Sequence, residues 1–186
     1  MTLSSKKSLD RALCRHAFDD TVVSTARLAA YSTSRSLKAI GHGEYYNISE
    51  DICKKDLLIL SISVRKLAEI TETTSKLKEK SIQCMKPEQE KNNISSISVW
   101  DLIGNIIHGV EIDVVKNIGM ALYAHSDPLK ASRSKEEIDA AVIIKSDKFP
   151  RRAFKLNDFI SHINTYTDEA NDKMSEHGIY LGSGFE

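Results

Sequence analysis

Proline, cysteine and net charge are all scarce in this chain. Only three prolines occur in 186 residues, and none falls between Ser8 and Ile40. Nothing in the backbone chemistry there interrupts a long helix. The three cysteines (Cys14, Cys53 and Cys84) are far apart, odd in number and without CxxC spacing. That excludes a disulfide framework or a zinc site and fits reduced thiols in a cytoplasm. Lys plus Arg number 26, Asp plus Glu number 26, and the formal net charge is zero. The basic excess of a dedicated nucleic-acid binder is missing, so any RNA contact has to use a local patch. No apolar run is long enough to span a bilayer, and the opening MTLSSKKSLDR lacks the apolar stretch of a secretory signal. The expectation is a cytoplasmic protein without membrane contact. HExxH, clustered Cys/His, G-x-x-x-x-G-K-[ST], G-x-G-x-x-G and a serine nucleophile elbow are all absent, so neither a metal nor a cofactor is expected.

What is present is ordinary globular composition, 41% hydrophobic and 28% charged, in a length that suits one domain over residues 1–186. From Ser8 to about Ile40, Leu13, Ala17, Val22 or Val23, Ala26, Ala29 or Ala30, Ser34 and Leu37 recur at helical spacing. GHGEYYN (Gly41 to Asn47) breaks that pattern, and Ser49 is placed to cap a second helix from Glu50 to about Cys84, with Ile52, Leu57, Leu60, Val64, Leu67 and Leu77 as its apolar positions. KPEQEKNNISS (Lys86 to Ser96) reads as a polar loop. A third, short helix is expected from Ser98 to about Glu111. Val114–Ala124, Ala140–Lys145 and Arg152–Lys155 have strand composition, the last two pairing as an antiparallel hairpin. Asn157 is placed to cap a last helix, Asp158 to about Glu176, before a loose tail over 179–186. The expected fold class is mainly α. It is a helical bundle with two long antiparallel helices, a short central helix between or across them, a small β-hairpin elaboration within about 114–155 and a C-terminal helix.

The informative segment is WDLIGNIIHG, Trp100 to Gly109. Asp101, Asn105 and His108 stand four and three residues apart, so on a helix they form one polar stripe, while Leu102, Ile103, Ile106, Ile107 and Val110 cover much of the rest. Buried, such a stripe must find partners, because each unpaired group costs about 1–3 kcal/mol. Asp101 then serves as a cap with Ser98, Asn105 and His108 hold helices in register, or the whole stripe faces solvent. Alternatively it lines a functional groove in which His108 exchanges protons near neutral pH. The expectation taken forward is that at least two of the three meet polar groups from other helices.

LIGNIIHG resembles the N-x-I-I-H segment of HEPN-domain proteins, especially the bacterial abortive-infection type, and the order of elements is similar. The resemblance implies a four-helix-bundle-like domain. It also implies, for many members, a metal-independent RNase with an Arg-x4–6-His motif, often dimeric with the sites at the interface. By that resemblance His108 acts in cleavage, and an amide or acid such as Asn105 or Asp101 supports it. This chain has no Arg four to six residues before His108; Asp101 stands seven before it. A carboxylate there repels a scissile phosphate. Arg65, in SVRKLAEI on the second helix, is the residue left to supply a guanidinium. Its plainer reading is a surface residue. Lys148, Arg151 and Arg152, with Lys145, make the densest basic cluster, suited to an RNA backbone or an acidic partner or to a solvated hairpin tip. The expectation is therefore a bacterial defence, toxin–antitoxin or immunity-type protein that acts mainly on a protein partner or a second copy. RNA is the alternative target, with weak or no RNase activity expected from the chain alone.

Overall fold

The structure is a computed structural model that describes residues 10–34, 45–85, 94–116, 140–149 and 151–180. Helix α1 (Arg11–Thr33) starts at Asp10, whose Oδ1 accepts from the Leu13 N–H at 3.0 Å. This satisfies one of the donors that a helix N-terminus leaves open. The extension expected over residues 35–40 lies outside the described residues. The face that α1 buries is not the aliphatic row expected from spacing. Val22 and Val23 are exposed, whereas Cys14, Ala17, Thr21, Ser24, Thr25, Leu28 and Ser32 are buried. Small side chains let neighbouring helices approach; of the buried hydroxyls, Thr21 Oγ1 donates to the Ala17 carbonyl at 2.7 Å, and Thr25 Oγ1 has no hydrogen-bond partner among the described residues.

Helix α2 (Tyr46–Ile70) is preceded by Tyr45 at the cap position, so Ser49 lies inside the helix and does not cap it. Its inner seam is Cys53, Leu57, Leu60, Val64 and Leu67, all buried. Ile52, expected in the core, is 56% exposed. The two long helices pack together. Arg27 Nη1 lies 3.4 Å from the buried carboxylate of Asp56, joining the C-terminal half of α1 to the N-terminal half of α2 as an antiparallel pair requires.

The second helix does not continue to Cys84. It stops at Thr71, and Glu72 takes φ 58°, the left-handed region. The Thr73 N–H then donates to the Ala68 carbonyl at 2.9 Å, the six-to-one bond of a Schellman turn. A short helix α3 (Thr74–Glu79) follows, then strand β1 (Ser81–Met85). No Gly or Pro marks this exit, and Leu77 keeps the helical spacing, which is why pattern alone overran it.

Strand β2 (Ile94–Ser98) pairs with β1 in the segment read as polar loop; β3 (Glu111–Lys116), β4 (Ala140–Lys145) and β5 (Arg152–Lys155) follow. Residues 117–124 of the expected Val114–Ala124 strand lie outside the described residues. The β4–β5 hairpin forms as expected, with Ala141 opposite Lys155 and Ile144 opposite Arg152. Among the described residues it is part of an antiparallel sheet of five strands in the order β2-β1-β5-β4-β3, so the β portion is larger than the small hairpin expected.

Helix α4 (Val99–Ile107) is shorter than the expected run to Glu111 and packs on α2, α3 and the sheet. The second neighbour of α1 is instead the last helix, α5 (Leu156–Glu176). Lys155, not Asn157, holds the cap position of α5, and Asn157 Oδ1 accepts from Ser32 Oγ of α1 at 2.6 Å. Phe154 of β5 meets Phe159 of α5 edge-on with centroids 5.8 Å apart, closing sheet against helix. The tail is anchored at its start: Ile179 is buried, and the Tyr180 carbonyl accepts from Arg15 at 3.0 Å. Residues 181–186 lie outside the described residues.

A buried chain of hydroxyls ties the α2 exit to α5. Thr71 Oγ1 donates to the Leu67 carbonyl at 2.7 Å, Thr73 Oγ1 lies 2.8 Å from Thr71 Oγ1, and the Tyr166 hydroxyl lies 2.9 Å from Thr73 Oγ1. One proton per hydroxyl fixes the direction: Tyr166 donates to Thr73, Thr73 to Thr71, Thr71 to the helix end. Burial, aided by the Glu169 carboxylate, pushes Tyr166 up from 10.0 to about 12.

Two predictions follow from this joint. Glu72→Gly should raise stability by about 0.5–1 kcal/mol, because glycine relieves a left-handed backbone cost of about 1–2 kcal/mol and returns part of it as unfolded-chain entropy; urea denaturation measures it. The unfolded chain ionises Tyr166 from pH 10.0 and the folded chain only near 12. This tyrosine's contribution is thus intact below pH 10.0 and is lost as pH rises toward 12. Tyr166→Phe should therefore be less stable by about 1 kcal/mol at neutral pH and should show a shallower loss of melting temperature through that alkaline window.

Candidate functional site

Helix α4 is built to bury one side only. Val99, Leu102, Ile103 and Ile106 are fully buried. The opposite side carries Asp101 and His108, both exposed, and Asn105, half-buried. The stripe therefore forms on one face as its spacing required, but it is not threaded through the core. Asp101 works locally: its N–H donates to Ser98 Oγ at 3.0 Å, and the Ser98 hydroxyl donates to Asp101 Oδ2 at 2.6 Å. This is half of a capping box: the Asp101 N–H reaches the cap oxygen, but the carboxylate takes the cap's hydroxyl proton and not its backbone N–H. Asp101 also sits in the first turn, where the helix dipole favours a carboxylate.

His108 is the C-cap, and its backbone N–H donates to the Gly104 carbonyl at 3.0 Å. Among the described residues, the expectation that at least two of the three meet polar groups from other helices is not met. Asp101 bonds the residue before its own helix, and no hydrogen bond joins the Asn105 or His108 side chain to another described residue. The turn after His108 is tight. A Cβ on Gly109 would lie 3.2 Å from Ile112 and 3.3 Å from the Asn105 and Ile106 carbonyls. The Val110 N–H then donates to Lys145 O at 2.9 Å, which starts the pairing of β3 with β4.

Arg65 does reach α4, but not as a free cation beside His108. Its guanidinium lies 5.1 Å from the Trp100 ring centroid, and its Nε donates to Glu69 Oε1 at 3.0 Å. The arginine thus flanks the N-terminal end of the stripe, stacked and ion-paired within its own surface. The arrangement offers an amide, an imidazole and a carboxylate along an open helix side. It does not hold a cation against the imidazole.

The basic cluster is split by the fold. Arg151 lies 3.9 Å from Asp113, which also meets Lys54 at 3.6 Å. Arg152 is half-buried, 5.8 Å from the Phe149 centroid, and its buried Nε has no hydrogen-bond partner among the described residues. Lys148 is exposed, and its N–H donates to Ser146 Oγ in the turn at 3.1 Å. Of the three, Lys148 alone stands out from the surface, so they do not present one basic face.

The three thiols are buried and form no disulfide. Burial pushes Cys84 up to about 11 against the opposing charge of Arg152, and Cys14 is also raised, first by burial and then by Asp10. Neither is disposed to be a nucleophile. No three His, Cys, Asp or Glu among the described residues gather as a metal site. No helix among them is long and apolar enough to cross a membrane. A shallow polar cleft of about 250 Å³ separates β1 from α5, lined by Ser81, Ile82, Gln83, Asp158, Ser161 and His162. Sequence reasoning had no access to it, because Ser81–Gln83 read as helix and one wall was therefore missing.

No family model, no curated protein and no solved structure matches this chain.

Gly104 tests how open the outer side of α4 is. A Cβ there meets nothing within 4 Å. Gly104→Ala should stabilise the chain by about 0.5–1 kcal/mol through helix propensity alone, seen as a higher melting temperature; a loss of stability would mean that the side beside Asn105 and His108 is occupied.

Proposed function

We propose that the chain is a HEPN-like protein of bacterial defence, toxin–antitoxin or immunity type that works in the cytoplasm by holding a protein partner on the open side of α4. One observation carries this reading. Asn105 and His108 are presented on a firmly anchored helix with their hydrogen-bonding groups uncommitted to described neighbours, and Asp101 is the charge on that face. A rigid helix face with unfilled donors and acceptors suits recognition, because little side-chain order is lost on docking. The zero net charge and the split basic cluster favour a protein over RNA.

The second reading, a metal-independent RNase using His108, has the exposure of that imidazole in its favour. It lacks the cation that must offset charge developing on the phosphate, since Arg65 is held by Trp100 and Glu69.

The two readings separate in one set of measurements. Partners are recovered from the source organism on the tagged native chain, and binding is then titrated with the isolated partner. Asn105→Ala and His108→Ala should weaken binding by roughly tenfold or more each while leaving stability within about 0.5 kcal/mol, since both lie outside the core. The native chain should cleave mixed cellular RNA weakly or not at all. Cleavage that vanishes in His108→Ala would replace the binding reading with the nuclease one.

A further inference from the structure

Three glycines fall among the described residues, and the structure explains two of them. Gly178 takes φ 69°, the left-handed backbone that favours glycine. A Cβ on Gly109 would meet Ile112 at 3.2 Å and two carbonyls of α4 at 3.3 Å. Gly104 has neither reason. It lies inside α4, its φ is not positive, and a Cβ there meets nothing within 4 Å. In a helix interior glycine is the costliest residue short of proline. A helix of nine residues has little stability of its own to lose. No contact among the described residues requires the missing side chain. The physical reason left for a bare backbone is the close approach of a group from outside.

The surroundings say what kind of group that is. Val99, Leu102, Ile103 and Ile106 set the inward side of α4. At about 3.6 residues per turn, Gly104 falls near the middle of the opposite side. Trp100, Gly104 and Ile107 stand four and three residues apart and so form one row. Trp100 and Ile107 are half-buried and packed on the core. The row is therefore apolar at both ends with a gap at its centre. Trp100 is held in place, with the Arg65 guanidinium 5.1 Å from its ring centroid and Arg65 bonded in turn to Glu69.

The polar row of Asp101, Asn105 and His108 runs alongside. The gap thus has an indole at one end, an isoleucine at the other, bare backbone as its floor and hydrogen-bonding groups along one edge. Such a hole accepts a knob from a facing surface, and tryptophan is among the residues that most often carry binding energy at an interface. Asp101 adds a requirement of charge. It is the one charged residue of α4, and it is exposed. Ser98 fixes its carboxylate through a bond at 2.6 Å and leaves further acceptor positions open. A basic group suits that edge of the gap, and an acidic one is repelled.

We propose that the gap over Gly104 seats a bulky apolar side chain, aromatic or leucine, of a protein partner, while a lysine or arginine one helical turn away in the same partner segment meets Asp101. The seat rests on the reading of α4 as a binding face and adds what that face selects.

Random peptides displayed on phage and panned against the full native chain serve as the probe. Enriched sequences should carry an aromatic residue or leucine with a lysine or arginine one turn away. A synthetic peptide of that consensus is then titrated. Gly104→Leu fills the gap and should weaken binding by roughly a hundredfold. Gly104→Ala adds a single methyl and should weaken it less. Neither should lower the melting temperature, because no neighbour is displaced. Asp101→Asn should weaken the peptide by roughly tenfold and should leave unchanged a peptide whose basic residue is replaced by glutamine.

A library that yields no enriched sequence, or enrichment without the apolar and basic pair, overturns the proposal. So does a melting temperature lowered by Gly104→Leu, since part of the chain itself would then fill the gap. Equal loss of both peptides on Asp101→Asn overturns the charge requirement. A peptide weakened by Asn105→Ala and His108→Ala but not by Gly104→Leu overturns the seat and leaves α4 a binding face. A peptide indifferent to every one of these variants overturns both.

Discussion

The hydroxyl relay from Tyr166 through Thr73 and Thr71 to the end of α2 is the joint on which the rest of the architecture depends. A helix of this length and spacing would otherwise run on. Ending it at Ile70 demands a left-handed residue, here Glu72, and leaves polar groups inside the protein. Tyr166 supplies the missing partner from α5, nearly a hundred positions later in the chain. Because the turn is made, α3 and β1 can reverse direction and the sheet has a place to begin. Lys80 reinforces the same joint, with its ammonium 2.8 Å from Glu169 of α5 and its carbonyl accepting from the Val99 N–H at the start of α4.

The joint also determines how α4 is displayed. With β1 and β2 leading into its N-terminus and β3 leaving close after its C-cap, α4 is held at both ends by strands. It needs only one side for packing and leaves the other open. That is why a nine-residue helix, too short to be stable alone, can present Asp101, Asn105 and His108 in a fixed row. Function on such a row comes from position and hydrogen-bonding capacity. The thiols, sealed in the core with raised pKa values, and the arginines, paired with neighbours, take no part in it.

The sequence was legible where period and chemistry agree over many residues. The existence of α1, α2 and α5, the shared face of Asp101, Asn105 and His108, the Ser98 cap and the β4–β5 pairing all follow from local rules. It misled where one local signal has two meanings. Ser81–Met85 continued an apolar spacing that suited a helix, yet its pairing with β2 and β5 makes it a strand. Ile94–Ser98 looked polar because an edge strand with one buried neighbour needs few apolar residues. On α1, valines took the place in the pattern that belongs to threonine and serine, since close helix packing rewards small side chains over large ones.

Sequence alone therefore determined the helical character of the chain, the row on α4 and the absence of an arginine at motif spacing from His108. Each is set by residue order within a single element. Tertiary structure alone decided that the described β segments form a five-stranded sheet, that Arg65 is spent on Trp100 and Glu69, and that the basic residues of the β4–β5 hairpin part company. The reason is physical: strand pairing, cation stacking and burial depend on which distant segment arrives beside a residue, and residue spacing within one element carries no record of that.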